Sequence, residues 1–190
     1  MLNGTQITNN RLVLEVGADG NPSPVLLEGS PTTEITSSET GPFNNMGVPG
    51  AKSFHLVAPG YGNIAGIPTG AANPYYARFA TSASSTVIAD AATLDPTFFS
   101  LWIGNNDILS FATSGGMGVD QTGNFDPSTY GPNDITDPNV FAGAYAAQVD
   151  ALTANGAGGV LINLPDVTSI PFFTTVPFAP LDPTLSLIHI

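Results

Sequence analysis

Two short, continuously apolar runs frame the second half of the chain. "TFFSLWIG" (97–104) is too short for a typical helix and too uniformly apolar for a half-exposed strand. It predicts a strand buried on both faces. "GGVLINLPDV" (158–167) predicts a second strand of the same kind. Between them lies "DPNVFAGAYAAQVDALTANG" (137–156), a helix with Asp137 as N-cap, Pro138 at the first helical position and Gly156 after the last turn. A further helix is predicted to open at "NDILSFAT" (106–113), directly after the first run. Upstream, "SSTVIADAATLDP" (84–96) predicts a helix capped by Ser84 or Ser85 and ended at Pro96. "NPYYARFA" (73–80) also reads as helical, and a short helix is expected over 52–57.

The first part of the chain has a different period. In "RLVLEVGADGNPSPVLLE" (11–28), Leu12, Leu14 and Val16 alternate with Arg11, Val13 and Glu15, and Asp19-Gly20 suits a tight turn. That predicts a β-hairpin. Segments 29–41 and 114–134 are rich in turn-forming residues and read as loops. The order strand, helix, loop, helix, strand predicts an α/β fold with helices on both faces of a sheet, and the hairpin as a decoration. No internal repeat is visible.

Composition sharpens this picture. At 190 residues the chain has room for one sizeable core. It is 42% hydrophobic but only 9% charged, with 21 Gly and 17 Pro, so its surface is built from neutral polar residues and turns. Acidic residues outnumber Lys and Arg by 15 to 3, a formal charge of −12. Such a field repels phosphate backbones, which argues against nucleic acid as a partner, and there is no basic cluster for an anionic membrane. With no cysteine, thiolate nucleophiles, disulfides and cysteine metal sites are excluded. No apolar run reaches the length of a membrane span. The start, "MLNGTQITNNRLV", has neither the basic nor the apolar region of a signal peptide. The low-lysine surface is of the type common in exported proteins, so an extracellular or cell-envelope location is expected, with any leader upstream of Met1.

Gly104, Asn105, Asn106 and Asp107 stand where the first apolar strand gives way to a helix. Reactive groups in open α/β sheets collect beyond the carboxyl ends of strands. Asn and Asp there have two readings. They are ordinary helix N-caps, and a neutral Asn amide is also a suitable donor to an oxyanion formed in acyl transfer.

"GNND" (104–107) resembles the G-x-N-D block of the SGNH hydrolases, the GDSL lipase/esterase family, and "NNMGVPGA" (44–51) is similar to that family's upstream N-x-G-x-x-G-type block. The blocks occur in the family's order, "VLINLPDV" (160–167) resembles a later strand, and the likeness covers roughly 42–180. The resemblance implies a three-layer α/β/α, flavodoxin-like parallel sheet, incomplete here. It also implies ester hydrolysis without cofactor or metal, on a small-molecule, lipid or carbohydrate ester. In it, Asn106 and the backbone N–H of Gly50 would form the oxyanion hole.

The same resemblance asks for residues that the chain lacks. No G-D-S block for the nucleophile occurs, nor any G-x-S-x-G elbow. The D-x-x-H block is also missing: the histidines are His55 and His189, and three residues before them stand Lys52 and Ser186. The expectation is a single partial domain over 1–184, with 1–41 as a hairpin and loop insertion and the serine-bearing strand upstream of Met1. The tail "LSLIHI" (185–190) is the translation of CTGTCTCTTATACACATC, the mosaic-end adapter of transposase-based sequencing libraries. On that reading the natural sequence departs near Thr184 and His189 has no function.

Other candidates carry less. His55 sits in a half-apolar segment and reads as a packed histidine. "GAKS" (50–53) does not fit a P-loop frame. The loop "DQTGNFDPSTYGPNDITD" (120–137) holds Asp120, Asp126, Asp134 and Asp137, oxygen ligands of the kind calcium takes, without EF-hand spacing. This supports an alternative function, a secreted, non-catalytic, Asp-rich binding module stabilised by calcium.

Overall fold

The computed structural model describes residues 12–18, 20–29 and 39–170. Arg11, Asp19, residues 30–38 and everything from 171 onward, including Thr184, Ser186 and His189, lie outside the described residues. The expectations placed on the tail therefore lie outside the described residues too.

The fold is mixed α/β. Strands β1 (Leu12–Val16) and β2 (Pro22–Leu26) pair antiparallel, Leu12 opposite Leu26 and Val16 opposite Pro22, which is the hairpin predicted from the alternation. Helix α1 spans Val87–Ala92, β3 Phe98–Leu101, α2 Asn106–Thr113, α3 Pro138–Thr153 and β4 Gly158–Leu161. β3 and β4 pair parallel, Phe98 opposite Gly158 and Leu101 opposite Leu161. The pairing is close because Gly159 has no side chain: a Cβ there would lie 2.4 Å from the Phe99 ring. Helix α3 starts as the sequence predicts, with the Asp137 carboxylate accepting from the amides of Asn139 (2.7 Å) and Val140 (3.1 Å).

Several expectations are corrected. The cap of α1 is Thr86, whose side chain accepts from Ala89 N at 3.1 Å, rather than Ser84 or Ser85. Ser85 instead turns its hydroxyl to the Asp90 carboxylate (3.2 Å). Of 73–80 only Tyr76–Arg78 is helical, as one 3₁₀ turn, because Asn73 takes the amides of Tyr75 and Tyr76 into an Asx-type turn. The short helix expected over 52–57, by contrast, is present as a 3₁₀ helix, Ser53–Val57.

The largest correction concerns the sheet. Neither strand is buried on both faces. Along β3, Phe98 is 65% exposed and Trp102, just beyond it, 58%, whereas Leu101 is buried; all four residues of β4 are exposed. Among the described residues the sheet has only these two strands, so an apolar run that reads as fully buried is covered on one side alone.

The core lies instead between loops and helices. Ala51, Leu56, Tyr61, Tyr76 and Val87 form its buried centre, with Met46, Val48, Phe79, Ala80 and Ile103 packed around it. Polar ties hold the aromatics in place. The Tyr76 hydroxyl donates to Asp90 Oδ2 at 2.8 Å, and the same carboxylate accepts from Thr81 N and Oγ1. Burial alone would raise the Asp90 pKa; these hydrogen bonds to the charged form outweigh it and hold the group below the usual carboxylate value. The hairpin adds nothing to this core: Leu12, Leu14 and Val16 are all exposed.

Candidate functional site

Strand β3 leads into α2 through Gly104, whose φ of 118° favours glycine. A side chain there would also collide: its Cβ would lie 2.8 Å from both Leu164 Cδ1 and Phe141 Cε2. Asn105 occupies the cap position of α2 without a side-chain cap bond. Asn106, the first helical residue, is half-buried, and its Nδ2 donates to the carbonyl of Ala51 at 2.8 Å.

That bond joins the two blocks singled out in the sequence, because Ala51 follows Gly50 directly. Gly50 is exposed, with φ 77°, and its N–H has no acceptor among the described residues. The two candidate oxyanion donors, Gly50 and Asn106, are thus brought to one corner at the end of β3.

Asp107 is not the helix cap that the bland reading of the corner supposes. Its carboxylate leaves its own helix and accepts from Ser53 N (2.8 Å, Oδ2) and Ser53 Oγ (2.7 Å, Oδ1). The Ser53 carbonyl in turn accepts from Gln148 Nε2 of α3 at 2.9 Å. Lys52 Nζ donates to the Asp134 carbonyl at 2.6 Å, while Thr136 N donates to the Asp107 carbonyl at 3.1 Å. Lys52, Ser53, Asp107, Asp134 and Gln148 are all buried. One polar cluster therefore locks together the turn after Gly50, the first turn of α2, the loop before α3 and α3 itself.

The electrostatics are those of a dry, tightly bonded interior. Burial pushes the Asp107 carboxyl up, against the pull of its two Ser53 bonds and the nearby Lys52 charge. Burial pushes Lys52 down, although Asp107 and Asp134 favour its cation. Ser53 is not a nucleophile in this arrangement, because its hydroxyl is fully buried and already donates to Asp107.

His55 is a packed residue, as expected. Its ring stacks on Tyr61 with centroids 4.5 Å apart and planes 10° off parallel. Its Nδ1 accepts the Lys52 N–H at 3.0 Å, so the neutral ring carries its proton on Nε2. Burial, and next the Lys52 charge, lower its pKa to about 4. A nitrogen that is occupied and weakly basic does not serve as a general base.

The acidic loop is self-contained. Asp120 accepts from Thr122 N (3.0 Å), Asp126 from Ser128 N (3.0 Å), and Asp134 from the amides of Val119 and Gly131. Asp137 takes Gly123 N (2.7 Å) besides its own helix amides. These carboxylates fold the loop, and among the described residues no group of three or more acidic or histidine side chains is placed to hold a metal ion.

A groove of about 910 Å³ is lined by residues 94–106, which include β3, and by 44–48. Val87 and Ala51 also line it, with Leu101, Trp102 and Asn106 among the residues of the first segment. Sequence reasoning missed the Ser53, Asp107 and Gln148 cluster. Its one visible signal was Lys52, one of three basic residues in the chain, set between Ala51 and the apolar run that starts at Phe54. No helix among the described residues is long and apolar enough to cross a membrane. Comparison with family models, with curated proteins and with solved structures gave no match for this chain.

Proposed function

We propose that this chain supplies the oxyanion-stabilising half of a serine ester hydrolase of SGNH/GDSL type, as part of a larger three-layer α/β/α sheet. The observation that carries the reading is the 2.8 Å bond from Asn106 Nδ2 to the Ala51 carbonyl. A primary amide has two N–H groups. One, spent on Ala51, fixes the side chain; the other remains for a ligand oxygen. The unpaired Gly50 N–H is the second donor, and the N-terminus of α2 adds partial positive charge at the same corner.

In ester hydrolysis a serine oxygen attacks the carbonyl carbon, and the carbonyl electron pair moves onto oxygen. Gly50 and Asn106 would stabilise that oxyanion until it collapses and expels the alkoxide. The buried cluster of Lys52, Ser53, Asp107 and Gln148 holds the donors in place, so they need not reorganise as charge develops. The nucleophile and base asked for by this chemistry have no counterpart at the corner, since Ser53 is engaged and His55 is occupied.

The expected outcome of a p-nitrophenyl acetate assay on this chain is therefore no turnover above the buffer rate. Turnover abolished by a serine-directed phosphonate would show that the chain holds its own nucleophile, and would overturn the half-site reading.

A further inference from the structure

The Pro49–Gly50 peptide is held from one side only. Residues 48–51 form a type II turn, with Pro49 at its second position and Gly50 at its third, φ 77°. Ala51 N closes the turn by donating to Val48 O at 3.2 Å. The next two amides are also taken, Lys52 N–H by His55 Nδ1 (3.0 Å) and Ser53 N–H by Asp107 Oδ2 (2.8 Å). Of the amides from 50 to 53, that of Gly50 alone has no acceptor among the described residues.

The carbonyl of the same peptide is engaged. Asn73 Nδ2 donates to Pro49 O at 2.9 Å and to Tyr61 Oη at 3.0 Å. The other end of the amide fixes this orientation, since Asn73 Oδ1 accepts from Tyr75 N (2.8 Å) and Tyr76 N (3.3 Å). Exchanging the two ends would set donor against donor there, and oxygen against the Pro49 carbonyl. The Asn73 backbone is anchored as well, its N–H donating to Tyr61 O at 2.7 Å and its carbonyl accepting from Ala77 N at 3.0 Å. Tyr61 and Tyr76 belong to the buried core, so Asn73 ties the turn to the core.

In a trans peptide the C=O and N–H point in opposite directions. With its carbonyl turned to Asn73, the Pro49–Gly50 unit sends the Gly50 N–H the other way. The competing conformation is a type I turn, which keeps the bond from Ala51 to Val48 and differs chiefly by a flip of this one peptide. In it the N–H faces Asn73, and a carbonyl stands where the donor was. Glycine accepts φ of either sign, so Gly50 itself does not lock the turn.

We propose that Asn73 is a positioning residue for the oxyanion site: it holds the Pro49–Gly50 peptide so that the Gly50 N–H is presented as a donor. The inference rests on the ester-hydrolase reading for the use of that donor, and on the hydrogen bonds alone for its direction.

Asn73→Asp separates the two ends of the side chain. It keeps the acceptor for Tyr75 and Tyr76, and replaces the donor by an oxygen that repels the Pro49 carbonyl. The turn should flip and face the Gly50 N–H to the new carboxylate. The readout, on the full chain, is the NOE between Pro49 Hα and Gly50 HN, which is strong in a type II turn and weak in type I. It should fall about fivefold or more in Asn73→Asp. Tyr61→Phe removes the neighbouring hydroxyl but not the bond to Pro49, and should leave the NOE unchanged. An unchanged NOE in Asn73→Asp, or an equal fall in Tyr61→Phe, would overturn the proposal. A weak NOE in the wild type would do so with no variant needed.

Dimethyl phosphate, a singly charged tetrahedral anion, probes the use of the donor. In the wild-type chain it should shift the Gly50 N–H and the Asn106 side-chain amide together. In Asn73→Asp the Gly50 response should be lost while that of Asn106 persists; a Gly50 response that survives the flip would overturn the proposal. If neither group responds in the wild type and the NOE still falls in Asn73→Asp, the ester reading fails and the control of this peptide by Asn73 stands.

Discussion

The two sides of the corner at Gly104 are opposites. On one side, 51–57 meets α2 and α3 through a buried cluster in which Asp107, Ser53 and Lys52 all find partners. On the other, β3 and the residue after it carry Phe98 and Trp102 into solvent, and among the described residues one edge of the strand has no backbone partner. The difference teaches that the position of the donors is set by the polar side and not by the sheet. Asn106 stays where it is because Ala51 and Asp107 are anchored, even though the strand leading to it is open.

The sharpest way to break this contrast is Asp107→Ala. It strips Ser53 of acceptors for both N–H and hydroxyl in a buried site, and should cost about 3 kcal/mol in urea unfolding. A loss under about 1 kcal/mol would mean that the cluster does not hold the corner. The second comparison lies within β3. Leu101→Ala should cost roughly 2–3 kcal/mol, whereas Trp102→Ser on the bare face should change stability by less than about 0.5 kcal/mol. Equal costs in the same unfolding experiment would mean that a layer covers the bare face.

Acid separates the contribution of His55 from that of Asp90 by pH. His55 has a folded-state pKa of about 4 against an ordinary 6.5, so protonation is harder in the fold. Its contribution is complete above pH 6.5 and is lost as pH falls from 6.5 toward 4. With solvent screening allowed for, the loss is about 2 kcal/mol. Asp90, whose folded pKa is depressed, gives up its share only below the ordinary carboxylate value, as pH falls through the folded one. His55→Asn keeps an acceptor for the Lys52 N–H. It should flatten thermal stability between pH 6.5 and 4 while leaving the later acid transition in place. An unchanged pH profile would remove His55 from the stacked, neutral role.

Much of the fold was legible where a local signal was strong. Asp137, Pro138 and Gly156 bounded α3, and the alternation around Gly20 gave the hairpin. What failed was burial. A run such as "FFSLW" reports that a strand is apolar, not how many layers cover it, and among the described residues its sheet has only two strands. The α1 cap was missed by one or two positions because Ser84, Ser85 and Thr86 are chemically alike; Asp90 decides among them by engaging Ser85. At the corner, the blocks single out Asn106 and Gly50 as candidates, and Asn106 bonds the residue next to Gly50. The role of Asp107 could not be read in this way, because its partner Ser53 is 54 residues away in sequence. The calcium expectation rested on composition, and in the structure Asp120 and Asp126 bond the backbone of their own turns.

Asn106→Ala has a small effect on folding and the largest on the proposed chemistry. Losing the bond to Ala51 should cost about 1 kcal/mol of stability. The most direct test of the central claim is kcat for ester hydrolysis by Asn106→Ala, measured in a polypeptide that joins this chain to serine-bearing and histidine-bearing segments of an SGNH-type hydrolase. Loss of an oxyanion donor predicts a fall in kcat of about 10²–10³-fold, with the melting temperature lowered by only a few degrees. Full kcat in a folded Asn106→Ala protein would contradict the account.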